Sequence, residues 1–214
     1  MTGAGRYAPV TAELLAERLA EACRRRQPAG HPLRLALDGP ACADTAELTE
    51  RLTELLQAAG RPVALVDPRT FYRDASLRLE YGRTDVESFY RGWLDDGALR
   101  REVLDPIGSS GRYLPSLRDP VSNRSTRAQP AELASTGVLL VRGELLLGIG
   151  LPFDLTAHFS VSRQARRRLT DPELQWTLPA FDRYDHEVDP AAIADLVIRY
   201  DDPRHPALLD RTVP

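Results

Sequence analysis

The residues best placed for chemistry lie in Leu37-Asp38-Gly39-Pro40-Ala41-Cys42-Ala43-Asp44-Thr45-Ala46. An apolar run ends there in an acid, turns tightly at Gly39-Pro40 and gives way to a helical pattern. A strand that turns into a helix in this way presents backbone N–H groups and the positive end of a helix dipole to a phosphate or other anion. Asp44 and Glu47 have the spacing of a capping box, in which Asp44 accepts the first free N–H groups of the helix. Cys42 sits just before a helix, where a thiol pKa can fall. Arg163, Arg166, Arg167 and Arg168 read equally well as a solvated helix face or as an anion-binding set. His31, His158, His186 and His205 are scattered without metal-ligand spacing, so no metal site is expected. No nucleophile elbow and no Rossmann glycine fingerprint appear. Trp93 and Trp176 read as core packing.

One omission closes off whole mechanisms. The 28 basic residues are all arginine, so nothing in the chain can form a Schiff base or supply a lysine to a phosphate. With 214 residues, 43% hydrophobic and 28% charged, the chain is expected to fold as one globule. A net charge of -3 argues against a general nucleic-acid binder. No apolar run approaches the roughly 20 residues that span a bilayer, and no signal peptide is visible in the first thirty residues. Cys23 and Cys42 form no disulfide framework or metal motif, which fits a reducing cytoplasm.

The elements that must position these residues follow from periodicity. A helix is expected over about 9–27, with Thr11 as N-cap, Leu14, Leu15, Leu19 and Ala22 as its apolar stripe, and Arg24, Arg25 and Arg26 as a solvated, dipole-matched end. Leu33–Asp38 reads as a buried strand and Glu47–Ala59 as a helix closed by Gly60. Further strands are expected at Val63–Val66, Gly137–Val141, His158–Val161 and Asp195–Ile198. Continuous apolar strands alternating with helices predict an α/β fold, a parallel sheet covered on both faces. The region 71–129 is too long for a bare connection and predicts a binding wall or lid, with a helix from Asp96 to Leu104 and a hairpin joining Tyr113 to Arg124–Ala128.

In register with Asp38–Ala46, the phosphate loop of the uridine kinase-like family reads D-G-P-x-G-x-G-K-S, and this segment resembles it. Further similarities follow in order: Phe71-Tyr72-Arg73 to D-x-F-Y-R, Asp96–Pro106 to a helix ending L-x-P, Gly111–Pro115 to G-x-Y-x-P, and Val138–Leu147 to V-V-V-E-G-x-x-L-L. Ser162–Arg168 resembles the arginine-rich lid, Leu178–Phe181 with Tyr184 a Y-x-P-A segment, and Ala194–Pro203 the segment A-D-L-V-I-x-x-x-D-P. The resemblance covers about 33–203. It implies a three-layer P-loop NTPase-like fold with about five parallel strands, flanking helices, a substrate-side insertion (about 71–129) and a lid (about 163–184) within one domain, 1–214. It also implies a cytoplasmic enzyme that transfers the γ-phosphate of ATP to a nucleoside or similar alcohol.

The departures fall on the chemistry. Gly39, Pro40, Ala41, Cys42, Ala43, Asp44, Thr45 and Ala46 form the loop, but the family lysine is Thr45 and its magnesium-binding hydroxyl is Ala46. Phosphoryl transfer depends on cation and metal placed against developing charge. The family base corresponds to Arg69, which cannot accept a proton, leaving Asp67 as the substitute. The acid at the end of the third strand corresponds to Arg142, which could instead pair with Asp38, Asp44 or Asp67. Cys42 falls on a family glycine and reads there as a small residue. The nucleoside-framing tyrosine and histidine fall on Leu117 and Ser122. The substrate or anion candidates that remain are Tyr72, Arg73, Tyr113, Arg124, Arg163, Arg166 and Arg167. The expectation is a cytoplasmic protein of this fold that has lost phosphoryl transfer and binds a protein partner or small anion, with no nucleic acid or membrane, as a monomer or homo-oligomer. The alternative is an active, atypical nucleoside or small-alcohol kinase using ATP and magnesium, with Arg142 or Arg166 in the lysine's role. A structural or regulatory subunit of an obligate oligomer is a third reading.

Overall fold

Apolar side chains at consecutive positions, Leu35–Leu37 and Val138–Val141, can all be buried only if both faces of a sheet are covered. The computed structural model describes residues 7–210, with residues 1–6 and 211–214 outside the described residues, and it shows that arrangement. Strand β1 (Ala8–Pro9) precedes helix α1 (Ala12–Arg25), whose N-cap Thr11 accepts a 3.2 Å hydrogen bond from the Leu14 amide. Strand β2 (Leu33–Asp38) leads through the 41–43 turn into α2 (Ala46–Ala58) and then β3 (Val63–Val66). The insertion contains α3 (Ala75–Arg78), α4 (Asp96–Leu99), α5 (Asp105–Ser110), β4 (Arg112–Tyr113) and β5 (Ala131–Glu132). After it come β6 (Val138–Gly143), β7 (Leu155–Ser160), α6 (Arg163–Leu169), α7 (Leu178–Glu187), α8 (Pro190–Ile193), β8 (Leu196–Arg199) and β9 (Ala207–Asp210).

The main sheet has the order β1-β9-β8-β7-β2-β6-β3. Its five strands from β3 to β8 are parallel, as expected, while β9 and β1 extend one edge antiparallel. That edge was not legible, because strands of two and four residues are too short to carry a periodicity. On one face Leu15, Leu19, Leu52 and Leu56 of α1 and α2 pack on Leu33, Leu35, Leu37 and Leu140. On the other, Leu99, Val103, Leu104 and Ile107 pack on Leu139 and Val141. Arg34 points to this second face and is held by Asp154, with its Nη2 2.7 Å from Oδ1.

The expected helix from Asp96 runs on to Ser110, with a wide π turn at Arg100–Leu104 between α4 and α5. Pro106 is the physical reason for the irregularity, since it has no N–H to give the Glu102 carbonyl four residues back. That carbonyl is taken instead by the Leu114 amide at 2.9 Å, which ties the helix to the strand that follows. The hairpin differs from expectation: Tyr113 pairs with Ala131, not with the 124–128 segment, which forms a separate bridge between Arg118 and Ser125.

Candidate functional site

The carboxyl ends of β2, β3, β6 and β7 converge around Asp38, the last residue of β2, which is fully buried. Its Oδ1 accepts from the Leu146 amide at 2.9 Å. Its Oδ2 lies 2.7 Å from His158 Nδ1 and accepts the Tyr184 hydroxyl at 3.1 Å. Tyr184 in turn accepts from the Leu147 amide at 2.9 Å, and burial, with Asp38 beside it, raises its hydroxyl pKa. His158 is thus no scattered histidine: the carboxylate joins strand β7, helix α7 and the segment after β6 through one buried point. Sequence spacing could not reveal this, because the partners are 108 to 146 residues away.

Gly39 follows, with its amide given to the Gly143 carbonyl at 3.0 Å. A Cβ there would stand 2.8 Å from Phe159 Cβ and 3.1 Å from its carbonyl oxygen. Gly39→Ala is therefore expected to destabilise the protein by about 1–3 kcal/mol, read as a lower urea midpoint at unchanged slope. The loop then winds into a 3₁₀ turn over Ala41–Ala43, with Ala43 N–H donating to Pro40 and Asp44 N–H to Ala41. Asp44 holds a left-handed φ of 41°, a conformation natural to glycine. It is not the helix cap that its spacing predicts. Thr45 takes the N-cap position of α2 with no side-chain capping bond. The Cys42 thiol pKa is raised by burial, contrary to the lowering expected of a loop before a helix.

The acid of this site is Glu144, which the sequence register missed by placing Arg142 at the strand end. Glu144 lies two residues further, and its Oε1 accepts the Ala41 amide at 2.7 Å. Burial pushes its carboxyl up to about 7, with Asp38 and Asp67 nearby adding to the rise and the Ala41 bond and Arg69 opposing it. The Gly143-Glu144 pair, one residue beyond the apolar run, was the available signal. Arg142 pairs with none of Asp38, Asp44 or Asp67 among the described residues. Asp67 is bound by Arg69 at 2.7 Å, and its Oδ1 also accepts the Arg69 amide.

Beside Glu144 a cavity of about 390 Å³ opens between the insertion and the 143–149 segment. Tyr72, Phe89, Tyr90 and Trp93 line one side, and Glu144, Leu145 and Tyr184 the other. Trp176 packs on Trp93 at 5.7 Å between ring centroids and on Phe89 at 5.6 Å. Both tryptophans pack on the buried cluster of Phe89, Ala180 and Phe181, the core role expected of them, and Trp93 also lines the cavity. Of the residues nominated from sequence, Tyr72 alone lines this cavity. Arg73 lies outside it, 3.9 Å from Asp96. Tyr113 packs against the core beneath α4 and α5, and Arg124 is exposed.

Arg163, Arg166 and Arg167 of the lid line a second cavity of about 200 Å³ together with Asp182, and two of the three are paired to acids. Arg166 is buried and paired with Asp185 at 2.6 Å and Asp182 at 3.1 Å, and Arg163 reaches Asp182 at 2.9 Å. Arg167 is exposed. Between the loop and this lid only about 10 Å³ of free space remains.

A scan against protein-family models gives no match, and a search of curated proteins gives none. Solved structures do match. A possible uridine kinase from Bacillus stearothermophilus superposes with a TM-score of 0.68 over 86% of this chain and 98% of that chain, at 16% identity. A candidate fructose transport system kinase from Silicibacter sp. TM1040 gives a TM-score of 0.57 over 82% and 89%, at 20% identity. The five-stranded parallel core, the loop–helix unit after β2 and nearly end-to-end coverage of two such structures agree: this chain has the three-layer α/β fold of the P-loop kinases.

Proposed function

We propose that this protein is a uridine kinase-like P-loop protein that has lost ATP-dependent phosphoryl transfer and acts by binding. The observation that carries this reading is the state of the loop's own N–H groups. Those of Gly39, Ala41, Ala43 and Asp44 are spent on Gly143, Glu144, Pro40 and Ala41, and Pro40 has none to offer. A phosphate cradle needs such donors turned outward. The residues present do not fit ATP with magnesium. A carboxyl group already occupies the Ala41 amide, Thr45 is uncharged, and Ala46 offers a metal no oxygen on its side chain.

The alternative, an atypical nucleoside or small-alcohol kinase, needs a cation in place of the lysine and a free base. Arg166 is neutralised by Asp182 and Asp185, and Asp67 is held by Arg69. Titration calorimetry with ATP and magnesium tests the proposal. The native protein is expected to give no binding heat, and the triple variant Asp44→Gly, Thr45→Lys, Ala46→Ser to gain affinity. Micromolar binding by the native protein overturns it and directs the next assay to phosphate transfer onto nucleosides.

A further inference from the structure

The cavity beside Glu144 is built for a charge opposite to that of a phosphate. Glu144, Asp96 and Glu187 line it, against the single guanidinium of Arg91. Arg91 is itself held by Glu87 at 3.3 Å and Glu187 at 3.4 Å. Glu187 is further neutralised by Arg183 and hydrogen-bonded by the Tyr90 hydroxyl. Glu144 forms no salt bridge among the described residues, Arg69 acting on it only from a distance while paired to Asp67, and its only hydrogen bond there is the one from Ala41 to Oε1. The aromatic walls already hold cations from outside. The Arg78 guanidinium lies 5.0 Å from the Trp93 ring and 5.4 Å from that of Tyr72, and Arg183 lies 4.6 Å from that of Tyr90. Neither arginine lines the cavity.

We propose that this cavity binds a small organic cation, with its ammonium group paired to Glu144 and an apolar body against Tyr72, Tyr90 and Trp93. The volume suits a ligand of modest size, within the range of known small-molecule sites. Aromatic rings and a half-buried carboxylate are the two groups that favour an ammonium over a neutral or anionic head. Burial keeps the Glu144 carboxyl partly protonated near neutral pH, and an ammonium drives it to the ionised form. The groups facing that carboxyl are Asp38 from β2, Cys42 in the loop, and Asp67, Arg69 and Tyr72 after β3. Raising the pH from about 6 to 8 therefore tightens binding, as the proton that the cation must displace is lost beforehand.

This inference rests on the reading of the protein as a binder, and the ATP titration tests loss of nucleotide affinity separately. The experiment uses three probes of one shape on the full chain: 2-phenylethylamine, 2-phenylethanol and 3-phenylpropionate. Binding is read by calorimetry and by the fluorescence of the paired tryptophans. The amine is expected to bind at least about tenfold tighter than the alcohol, the worth of one charge-assisted hydrogen bond, and the acid weakest. Glu144→Gln keeps an acceptor for the Ala41 amide and should remove the preference for the amine over the alcohol. Equal affinities, a preference for the acid, a preference that survives Glu144→Gln, or no binding by any probe overturns the proposal. The comparison of probes on the native chain stands even if the variant folds poorly.

Discussion

Asp38→Ala is expected to lower the stability of the protein by about 3–5 kcal/mol, the cost typical of removing one partner from a buried, hydrogen-bonded pair. The alanine would leave the Leu146 amide, the His158 ring and the Tyr184 hydroxyl without their shared acceptor, at a point that water does not reach. Each orphaned group adds a desolvation penalty of about 1–3 kcal/mol. Asp38→Asn keeps one carbonyl acceptor and should cost less, about 1–3 kcal/mol. The Asp67–Arg69 pair is the internal contrast. Both side chains are more than a third exposed, so Asp67→Asn should change stability by less than about 1 kcal/mol. Urea titrations of the three variants at pH 7 give the ranking. An Asp38→Ala midpoint close to that of Asp67→Asn would show that the buried network contributes little.

A second expected result concerns Glu144 and has a definite sign. Its carboxyl titrates near 7 in the folded chain and near its ordinary value of 4.5 once unfolded. Between those values the folded state holds a proton that the unfolded state has released. Stability contributed by this group is therefore full below about pH 4.5 and is lost as the pH rises through 7. The gap corresponds to at most about 3 kcal/mol, with partial access to solvent reducing it. Glu144→Gln cannot ionise and escapes the loss. The variant should match the native protein near pH 4.5 and exceed it by about 1–2 kcal/mol at pH 8. The difference between the two pH profiles isolates this residue from the exposed carboxylates, such as Glu187, whose pKa is lowered by the Arg183 hydrogen bond. A difference that is constant with pH would mean that Glu144 is ionised in the folded state throughout.

Much of the fold was legible because its parallel strands are apolar on both faces and its helices keep a clean stripe. Leu33–Asp38, Val63–Val66 and the helix after the loop were placed almost to the residue. Strand β7 was started three residues late, at His158, because Thr156 interrupts the run. The site was legible only along the chain. Thr45 and Arg69, in register with the family's lysine and base, can be read from the sequence, but the folding of the loop onto itself cannot. The 3₁₀ turn is tied down at Gly39 and Ala41 by Gly143 and Glu144, about a hundred residues away in sequence. The cavity depends on aromatic residues from distant segments, Tyr72, Trp93 and Trp176, whose meeting no local pattern announces.

The strand order also sets a timetable for synthesis. β2 and β3 emerge early but do not pair with each other, because β6 lies between them. β2 finds its neighbours β6 and β7 only after about 100 further residues have been made, a delay of roughly 5–20 s at ordinary translation rates. Throughout that interval the Leu33–Leu37 strand has both edges open, and α1 and α2 have no finished sheet to cover. β1 waits longer still, since its partner among the described residues, β9, ends at residue 210. The nascent chain should therefore engage chaperones that shield apolar segments until β6 emerges, and ribosome-bound chains halted before and after that strand should differ sharply in protease resistance.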